Sequence, residues 1–327
     1  VEASTAGASG NVLTFTATAG TANNLSIEYF SADLFIWTER GYYITDNSGQ
    51  AITLTGTGCS QNGPNGVRCL AFSSFPGTEG DYYDSVVINL GDQNDTATLI
   101  TSGLPIALNG EAGADTFNVR RTETDATVNS GTGNDTITLG SNAPSIDGQM
   151  VNLDGIIHVQ GGDNDVLNLG DKGNGLPMFV ELKLGGAGAR TITSSQYNVT
   201  IDASANPLGG GVNFYSGIGP DTIDVESTRS GEQLTVLGHN QDGQYDLVRV
   251  GEDGNTAQAL VGPLHISNPA EYSDVVIYDR NDNTGRTVDF TVGSPSTTLS
   301  GLTPGTITFA SADMRWVDLW LGSGSGT

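Results

Sequence analysis

The chain has 327 residues, and 37 acidic against 12 basic side chains give it a net charge of −25. Nucleic acid is not expected as a partner, because binding phosphates needs a basic patch and the ten arginines and two lysines, Lys172 and Lys183, form none along the sequence. No run of 18 apolar residues occurs, so membrane insertion is not predicted. Glycine supplies 46 residues, about twice the usual share. This composition is typical of short β-strands joined by many turns.

The first 85 residues alternate apolar and polar side chains over short stretches separated by Gly, Asn and Asp. Clear examples are Val12–Thr18, Leu25–Phe30 and Ala51–Thr55. Such alternation predicts half-buried antiparallel strands joined by hairpin turns. We therefore interpret residues 1–85 as an N-terminal antiparallel β cap.

Cys59 and Cys69 are the only cysteines, and Gly-Pro-Asn-Gly lies between them at 63–66. These four residues favour a turn, so the spacing predicts a disulfide across a hairpin. The alternative is a pair of free buried thiols. A disulfide indicates an oxidising compartment, and we expect a secreted or surface-exposed protein.

A Gly-rich turn followed by Asp and an alternating strand recurs along the chain. Asn129-Ser-Gly-Thr-Gly-Asn-Asp135-Thr-Ile-Thr-Leu is a clear example. Asp95, Asp115 and Asp135 hold the same place in three copies and are 20 residues apart. This spacing predicts one coil of a small solenoid, with the three aspartates stacked in one column.

A longer period is also present. Asp115–Val119 matches Asp221–Val225, and Val159–Leu169 matches Ile266–Tyr278. Residues 114–219 and 220–327 therefore resemble two diverged copies of one module. The resulting division is 1–85 for the cap, 86–219 for a first solenoid region and 220–327 for a second, diverged module.

One coil of this length buries only a few apolar residues and cannot fold alone. Stacked coils pair their strands and form one apolar column, with Gly supplying the corners. The predicted fold class is all-β: a right-handed parallel β-solenoid (β-helix or β-roll) with an N-terminal antiparallel β cap.

The turns at 110–118 and 130–138 resemble the hemolysin-type (RTX) calcium-binding nonapeptide, Gly-Gly-x-Gly-x-Asp-x-apolar-x. Residues 114–327 also resemble repeated modules of large bacterial surface proteins. The RTX resemblance implies Ca²⁺ held by glycine and aspartate turns. This chain differs from the family pattern, because its turns lie 20 to 50 residues apart and are not in direct tandem.

Carboxylate and carbonyl oxygens in turns suit Ca²⁺, which takes six to eight oxygen ligands. Stacked aspartates would repel one another unless a cation lay between them. The alternative is that they accept backbone N–H bonds and stabilise the turns without metal. The candidate calcium ligands are Asp92, Asp95, Glu111, Asp115, Asp135, Asp163 and Asp165.

No catalytic residues are predicted. The sequence lacks Gly-x-Ser-x-Gly, and its three histidines are far apart. A β-helix polysaccharide lyase or epimerase is one alternative, but it needs cations for an acidic polymer, and Arg120-Arg121 is the only basic pair. A carbohydrate-binding adhesin is another alternative, with Trp316 and Trp320 stacking on sugars. The preferred interpretation is that these tryptophans close the end of an apolar column or pack on a neighbouring module.

The function predicted from the sequence is a secreted structural protein of the bacterial cell surface or extracellular matrix, stabilised by Ca²⁺. Trp316–Leu321 forms a good strand that no charged strand follows to cover its edge. This arrangement favours a fibre in which copies of the chain, or further modules, join end to end. Polysaccharide is a second expected partner.

Overall fold

The computed structural model describes residues 3–34, 37–75, 80–185, 190–201, 207–241, 243–254, 256–269 and 271–323. All regular secondary structure in these ranges is β, in two large sheets. No helix long and apolar enough to cross a membrane occurs there. Val1 and Glu2 at the start of the chain and residues 324–327 at its end lie outside the described residues.

The first sheet has 14 described strands. They are β1 (Ser4–Ser9), β2 (Val12–Thr16), β5 (Ile52–Leu54), β9 (Ser85–Asn89), β11 (Ile106–Asn109), β13 (Ala126–Asn129), β15 (Ile156–Gln160), β17 (Phe179–Lys183), β18 (Arg190–Ser194), β19 (Asn198–Ile201), β21 (Thr222–Ser227), β23 (Tyr245–Val250), β25 (Tyr272–Asp279) and β29 (Met314–Leu321).

The second sheet has 15 described strands. They are β3 (Asn24–Leu34), β4 (Trp37–Asp46), β6 (Cys59–Gln61), β7 (Gly66–Ser73), β8 (Gly80–Asp81), β10 (Thr96–Thr101), β12 (Thr116–Val119), β14 (Thr136–Leu139), β16 (Val166–Gly170), β20 (Gly211–Tyr215), β22 (Leu234–Leu237), β24 (Leu264–Ser267), β26 (Asp289–Thr291), β27 (Ser296–Ser300) and β28 (Ile307–Ala310).

From β9 onward the chain alternates between the sheets, and most strands pair in parallel with the next strand but one. Thr96 pairs with Thr116, and Thr116 pairs with Thr136, so neighbouring strands are 20 residues apart. The 20-residue repeat predicted from the sequence is thus confirmed as a strand register. One continuous apolar core lies between the sheets and extends from Ala6 to Phe309.

The N-terminal strands pair mainly in antiparallel fashion, as β1 does with β2 and as β4 does with β3 and β7. They also belong to the two large sheets, because β2 pairs with β9 and β3 with β10, both in parallel. The hairpin strands and the parallel strands therefore share one core.

Strands β12–β20 and β21–β29 show the same succession of pairings among the described residues. In both series three antiparallel strands, β17–β19 and β26–β28, interrupt the parallel pattern at the same place. The two series use opposite sheets, since β12 lies in the second sheet and β21 in the first. The first series joins the second directly, because β17 pairs with β21 and β20 pairs with β22.

Candidate functional site

Four buried aspartates form a column, which we call the aspartate column: Asp95, Asp115, Asp135 and Asp165. Each immediately precedes a strand of the second sheet. The backbone N–H of Asp95 donates to Oδ1 of Asp115 at 2.8 Å, and that of Asp115 donates to Oδ1 of Asp135 at 2.7 Å. The N–H of Asp135 donates in the same way to Asp165 at 2.9 Å. The predicted stacking of Asp95, Asp115 and Asp135 is confirmed.

The second carboxylate oxygens of the aspartate column differ along its length. Oδ2 of Asp165 accepts bonds from the N–H of Gly162 and the hydroxyl of Ser130, at 2.7 and 2.8 Å. The Oδ2 atoms of Asp95, Asp115 and Asp135 are buried and have no hydrogen-bond partner among the residues that the structure describes. These three oxygens can be satisfied by a proton or by a cation.

Burial makes the charged form of these carboxyl groups costly. It raises the pKa of Asp95 to about 6, that of Asp115 to about 7 and that of Asp135 to about 6. Neighbouring carboxylates in the column add to the rise through charge repulsion. Asp95, Asp115 and Asp135 therefore keep a proton at higher pH than a free aspartate does.

A shorter column of the same kind lies at the first sheet. The N–H of Asp221 donates to Oδ1 of Asp246 at 2.9 Å, and the N–H of Met178 donates to Oδ1 of Asp221 at 2.8 Å. Burial raises the pKa of Asp221 to about 7. Sequence reasoning did not select Asp221 or Asp246 as site residues, although the turn motif before Asp221 was a usable signal.

The remaining predicted calcium ligands lie in the turns. Glu111 and Asp163 are exposed, and their backbones have positive φ of 69° and 45°. Oδ1 of the half-buried Asp92 accepts the N–H of Gly20 at 2.5 Å. Among the described residues, no three of the seven predicted ligands bring carboxylate oxygens within 4.8 Å of one another. The contacts of the buried aspartates are those of the backbone-bonding alternative.

A three-acid cluster that the sequence did not predict lies on the outer side of the first sheet. Oxygens of Asp224, Glu226 and Glu252 lie within 4.8 Å of one another. Arg249 already neutralises part of this charge, with Nε and Nη2 each 2.6 Å from Asp224 and Nη1 3.3 Å from Glu252. A metal ion at this cluster would compete with the guanidinium group for oxygens of Asp224 and Glu252.

The chain matches no known protein family, no curated protein and no solved structure.

The predicted disulfide between Cys59 and Cys69 is confirmed. The two residues pair directly across the antiparallel strands β6 and β7. The turn-forming residues between them close this hairpin, as the sequence indicated. The disulfide therefore cross-links β6 to β7 in the N-terminal part of the second sheet.

Trp316 and Trp320 lie on the outer face of β29. Val317 and Leu319 pack against the core, and their alternation with the tryptophans places the rings on the opposite face. The Trp320 ring packs edge-on against Tyr278, with centroids 4.8 Å apart, while Trp316 remains 39 % exposed. The tryptophans therefore do not close the apolar column.

An open cavity of about 680 Å³ lies at the N-terminal end of the molecule. Aromatic rings, carboxylates, an amide and a guanidinium group line it together. The lining residues are Asn11, Tyr29, Thr38, Arg40, Ala71, Phe72, Asp81, Tyr82, Tyr83, Asp84, Gly103 and Leu104. Sequence reasoning missed this site because its residues are spread over 94 positions.

Proposed function

We propose that the chain is a right-handed β-solenoid with an N-terminal antiparallel cap, and that it serves as a rod-like structural segment of an extracellular bacterial protein. The parallel pairing of every second strand and the continuous core support the solenoid. Right-handed crossovers are the rule for parallel strands. The disulfide supports an oxidising, extracellular location.

The repeated strand order is the observation that carries this proposal. Strands β12–β20 and β21–β29 pair in the same succession, and the first series binds the second through β17 and β20. A module that joins its own copy edge to edge can lengthen a rod without a new kind of contact. No catalytic group is needed for this function.

The end of the second series is built like the end of the first. Strands β26 and β29 hold the places of β17 and β20, but no described strand covers their outer edges. Leu182 and Leu184 are 0 % and 1 % exposed, whereas Phe290 and Val292, at the corresponding places, are 46 % and 75 % exposed. Phe290 lies opposite the buried Leu299, so it is on the core side of the sheet.

The same difference separates β20 from β29. Val212 and Phe214 are buried, whereas the corresponding Val317 and Leu319 are only partly buried. Apolar side chains on the core side of uncovered strands favour association with another strand. We infer that this end accepts a further repeat, whose first two strands pair with β26 and β29.

An extended chain tests this inference. A second copy of residues 220–327 is fused after Thr327, and amide hydrogen exchange of β26 and β29 is measured. The expected result is strong protection of both strands together with a higher melting temperature. The control extension carries Ile223→Asp and Val225→Asp in the added copy, because buried charges prevent its first strand from docking. Unchanged exchange of β26 and β29 in the intact extension would contradict the proposal.

Calcium is part of the proposed function. The unpartnered Oδ2 atoms of Asp95, Asp115 and Asp135 are oxygens of the type that Ca²⁺ binds, and Asp92 and Glu111 belong to the same turns. An ion bound at one or two of these carboxylates would neutralise part of the repulsion within the column. Binding to the folded state alone would raise its stability.

A further inference from the structure

The cavity at the N-terminal end is formed by strands that pair side by side. Arg40 of β4 pairs with Phe72 of β7, and Phe72 pairs with Asp81 of β8. Directly paired residues present their side chains on the same face, so a cation, a ring and a carboxylate form one row. The Arg40 guanidinium lies 5.9 Å from the centre of the Phe72 ring.

Gly103 and Leu104 form the floor of the cavity, and buried and partly buried hydrogen bonds hold them in place. The Tyr42 hydroxyl accepts the N–H groups of Gly103 and Leu104 at 3.2 and 3.1 Å and bonds the Ser102 hydroxyl at 2.9 Å. The Tyr29 ring packs against Tyr42, with centroids 5.3 Å apart. This network fixes the floor in the shape seen here, which reduces the entropy lost when a ligand binds.

Close packing keeps the Tyr29 ring against the turn at Gly103. A Cβ atom at Gly103 would lie 2.2 Å from the Tyr29 ring, so only glycine allows this contact. The opposite wall is also fixed, because the Tyr83 hydroxyl donates to the carbonyl of Cys69 at 2.8 Å. Cys69 is in turn fixed by its disulfide.

The polar groups at the rim include both donors and acceptors. Arg40 forms no ion pair within 4 Å in the described part of the chain, so its guanidinium N–H groups are available to a ligand. Asp81 and Asp84 supply carboxylate oxygens, and Asn11 bonds Asp84 at 3.2 Å. Asn11, Arg40, Asp81 and Asp84 are all exposed.

This combination limits the chemical class of the ligand. An anion would face two carboxylates and a protein of net charge −25, and a cation would face Arg40. An apolar ligand that covered the rim would remove water from these groups without giving them new hydrogen-bond partners. Hydroxyl groups donate to carboxylates and accept from a guanidinium, and the C–H faces of a sugar pack on aromatic rings.

We propose that this cavity binds a neutral saccharide. The Tyr29, Phe72 and Tyr82 rings supply the stacking surfaces, Arg40 donates to sugar oxygens, and Asp81 and Asp84 accept from sugar hydroxyls. The volume of about 680 Å³ lies within the range of small-molecule sites. The cavity lies apart from strands β26 and β29, where a further repeat would bind. A saccharide site would allow the structural segment to attach to polysaccharides.

Calorimetric titration of the full chain tests the proposal. The probes are three neutral tetrasaccharides, of β-1,4-glucose, α-1,4-glucose and β-1,4-mannose, and the anionic tetragalacturonate. At least one neutral probe is expected to bind with 1:1 stoichiometry, while tetragalacturonate does not bind. Arg40→Ala and Asp81→Asn are each expected to weaken binding at least tenfold, and both side chains are exposed, so folding should persist.

Two control variants locate the binding. Asp289→Asn removes an exposed carboxylate at the other end of the molecule, and Trp316→Ala removes the alternative aromatic surface. Both should leave the affinity unchanged. The proposal is overturned if no neutral probe binds at millimolar concentration, if tetragalacturonate binds more tightly than the neutral probes, or if Arg40→Ala and Asp81→Asn bind as the parent does.

Discussion

Among the described residues, buried charged side chains are paired with an opposite charge or bonded to the backbone, and the clearest pair is Arg190 with Glu232. Their side chains are buried, with Nη1 2.5 Å from Oε2, and Glu232 also accepts the N–H of Leu208 at 2.9 Å. The pair joins β18 to the segment before β22 and so connects the two strand series. A buried pair of this kind is costly to break because one charge is left without a partner.

Glu232→Ala is therefore expected to lower the free energy of unfolding by about 3–5 kcal/mol. Urea unfolding followed by circular dichroism measures the change. Glu123→Ala is the matched control, since Glu123 pairs with Arg121 at 3.1 Å on the exposed surface. Its expected effect is below ~1 kcal/mol. Equal effects of the two variants would show that burial of the Arg190 pair has no energetic consequence.

The aspartate column predicts an unusual dependence of stability on pH. The folded-state pKa values of Asp95, Asp115 and Asp135 lie above those of free aspartate, so the folded state binds more protons than the unfolded state between about pH 4 and 7. The free energy of unfolding should therefore fall as pH rises through this range. The lowered pKa values of His239 and His265 act in the opposite direction, but fewer groups are involved.

In a calcium-free buffer the melting temperature is expected to be higher at pH 5 than at pH 8. Each kcal/mol of difference in the free energy of unfolding should shift the melting temperature by ~2–4 °C. Asp115→Asn keeps the Oδ1 acceptor and removes one buried charge, so the same comparison should show a smaller difference. Scanning calorimetry at several pH values measures both. A melting temperature that rises from pH 5 to pH 8 would contradict the prediction that the fold loses stability as the buried aspartates lose their protons.

At the scale of elements, the turns between strands depend on stacked glycines. Gly113 has φ of 148°, and a Cβ atom on it would lie 1.6 Å from the carbonyl oxygen of Gln93 in the preceding turn. Gly133 stacks on Gly113 in the same way: a Cβ atom on Gly133 would lie 1.7 Å from the carbonyl oxygen of Gly113. Backbone of one turn thus packs directly on backbone of the next.

Gly113→Ala is expected to destabilise the fold by roughly 1–3 kcal/mol, because the turn must shift and the φ is unfavourable for alanine. Gly175→Ala is the control, since Gly175 has open space around the position of a Cβ atom. The control should stay within ~0.5 kcal/mol of the parent. Chemical unfolding of the two variants side by side measures the difference, and equal stability would refute the packing argument.

The sequence predicted the local elements better than their arrangement. The 20-residue spacing, the hairpin disulfide and the stacking of Asp95, Asp115 and Asp135 follow from short-range pattern and strand geometry. The saccharide cavity and the Asp224 cluster did not follow, because their residues meet only through strand pairing across distant segments. The sequence also did not predict the position of Trp316. Simple alternation puts Met314 and Trp316 on the same face, but a register shift opposite Ser273 and Asp274 places Trp316 on the outer face while Met314 packs on the core.

At the scale of the whole molecule, calcium is expected to counter the charge repulsion within the column. Chelation at pH 8 should lower the melting temperature. Adding Ca²⁺ at 100 times its Kd should raise the free energy of unfolding by about 2.7 kcal/mol. The effect should be smaller at pH 5, where protons satisfy the same carboxylates. Identical melting curves in chelator and in excess Ca²⁺ at pH 8 would show that calcium does not stabilise the fold.

The exchange of sheets between the two strand series has a consequence for the surface that a rod built from such repeats would display. Counting each antiparallel trio as one visit, a series makes seven alternating visits to the sheets. It therefore ends on the sheet where it began, and the next series starts on the opposite one. Tyr215 of β20 and Trp320 of β29 hold matching places but point outward from opposite sheets. A feature carried by each repeat would therefore face alternate flanks along the rod, which would allow neighbouring rods to be cross-linked laterally from both sides.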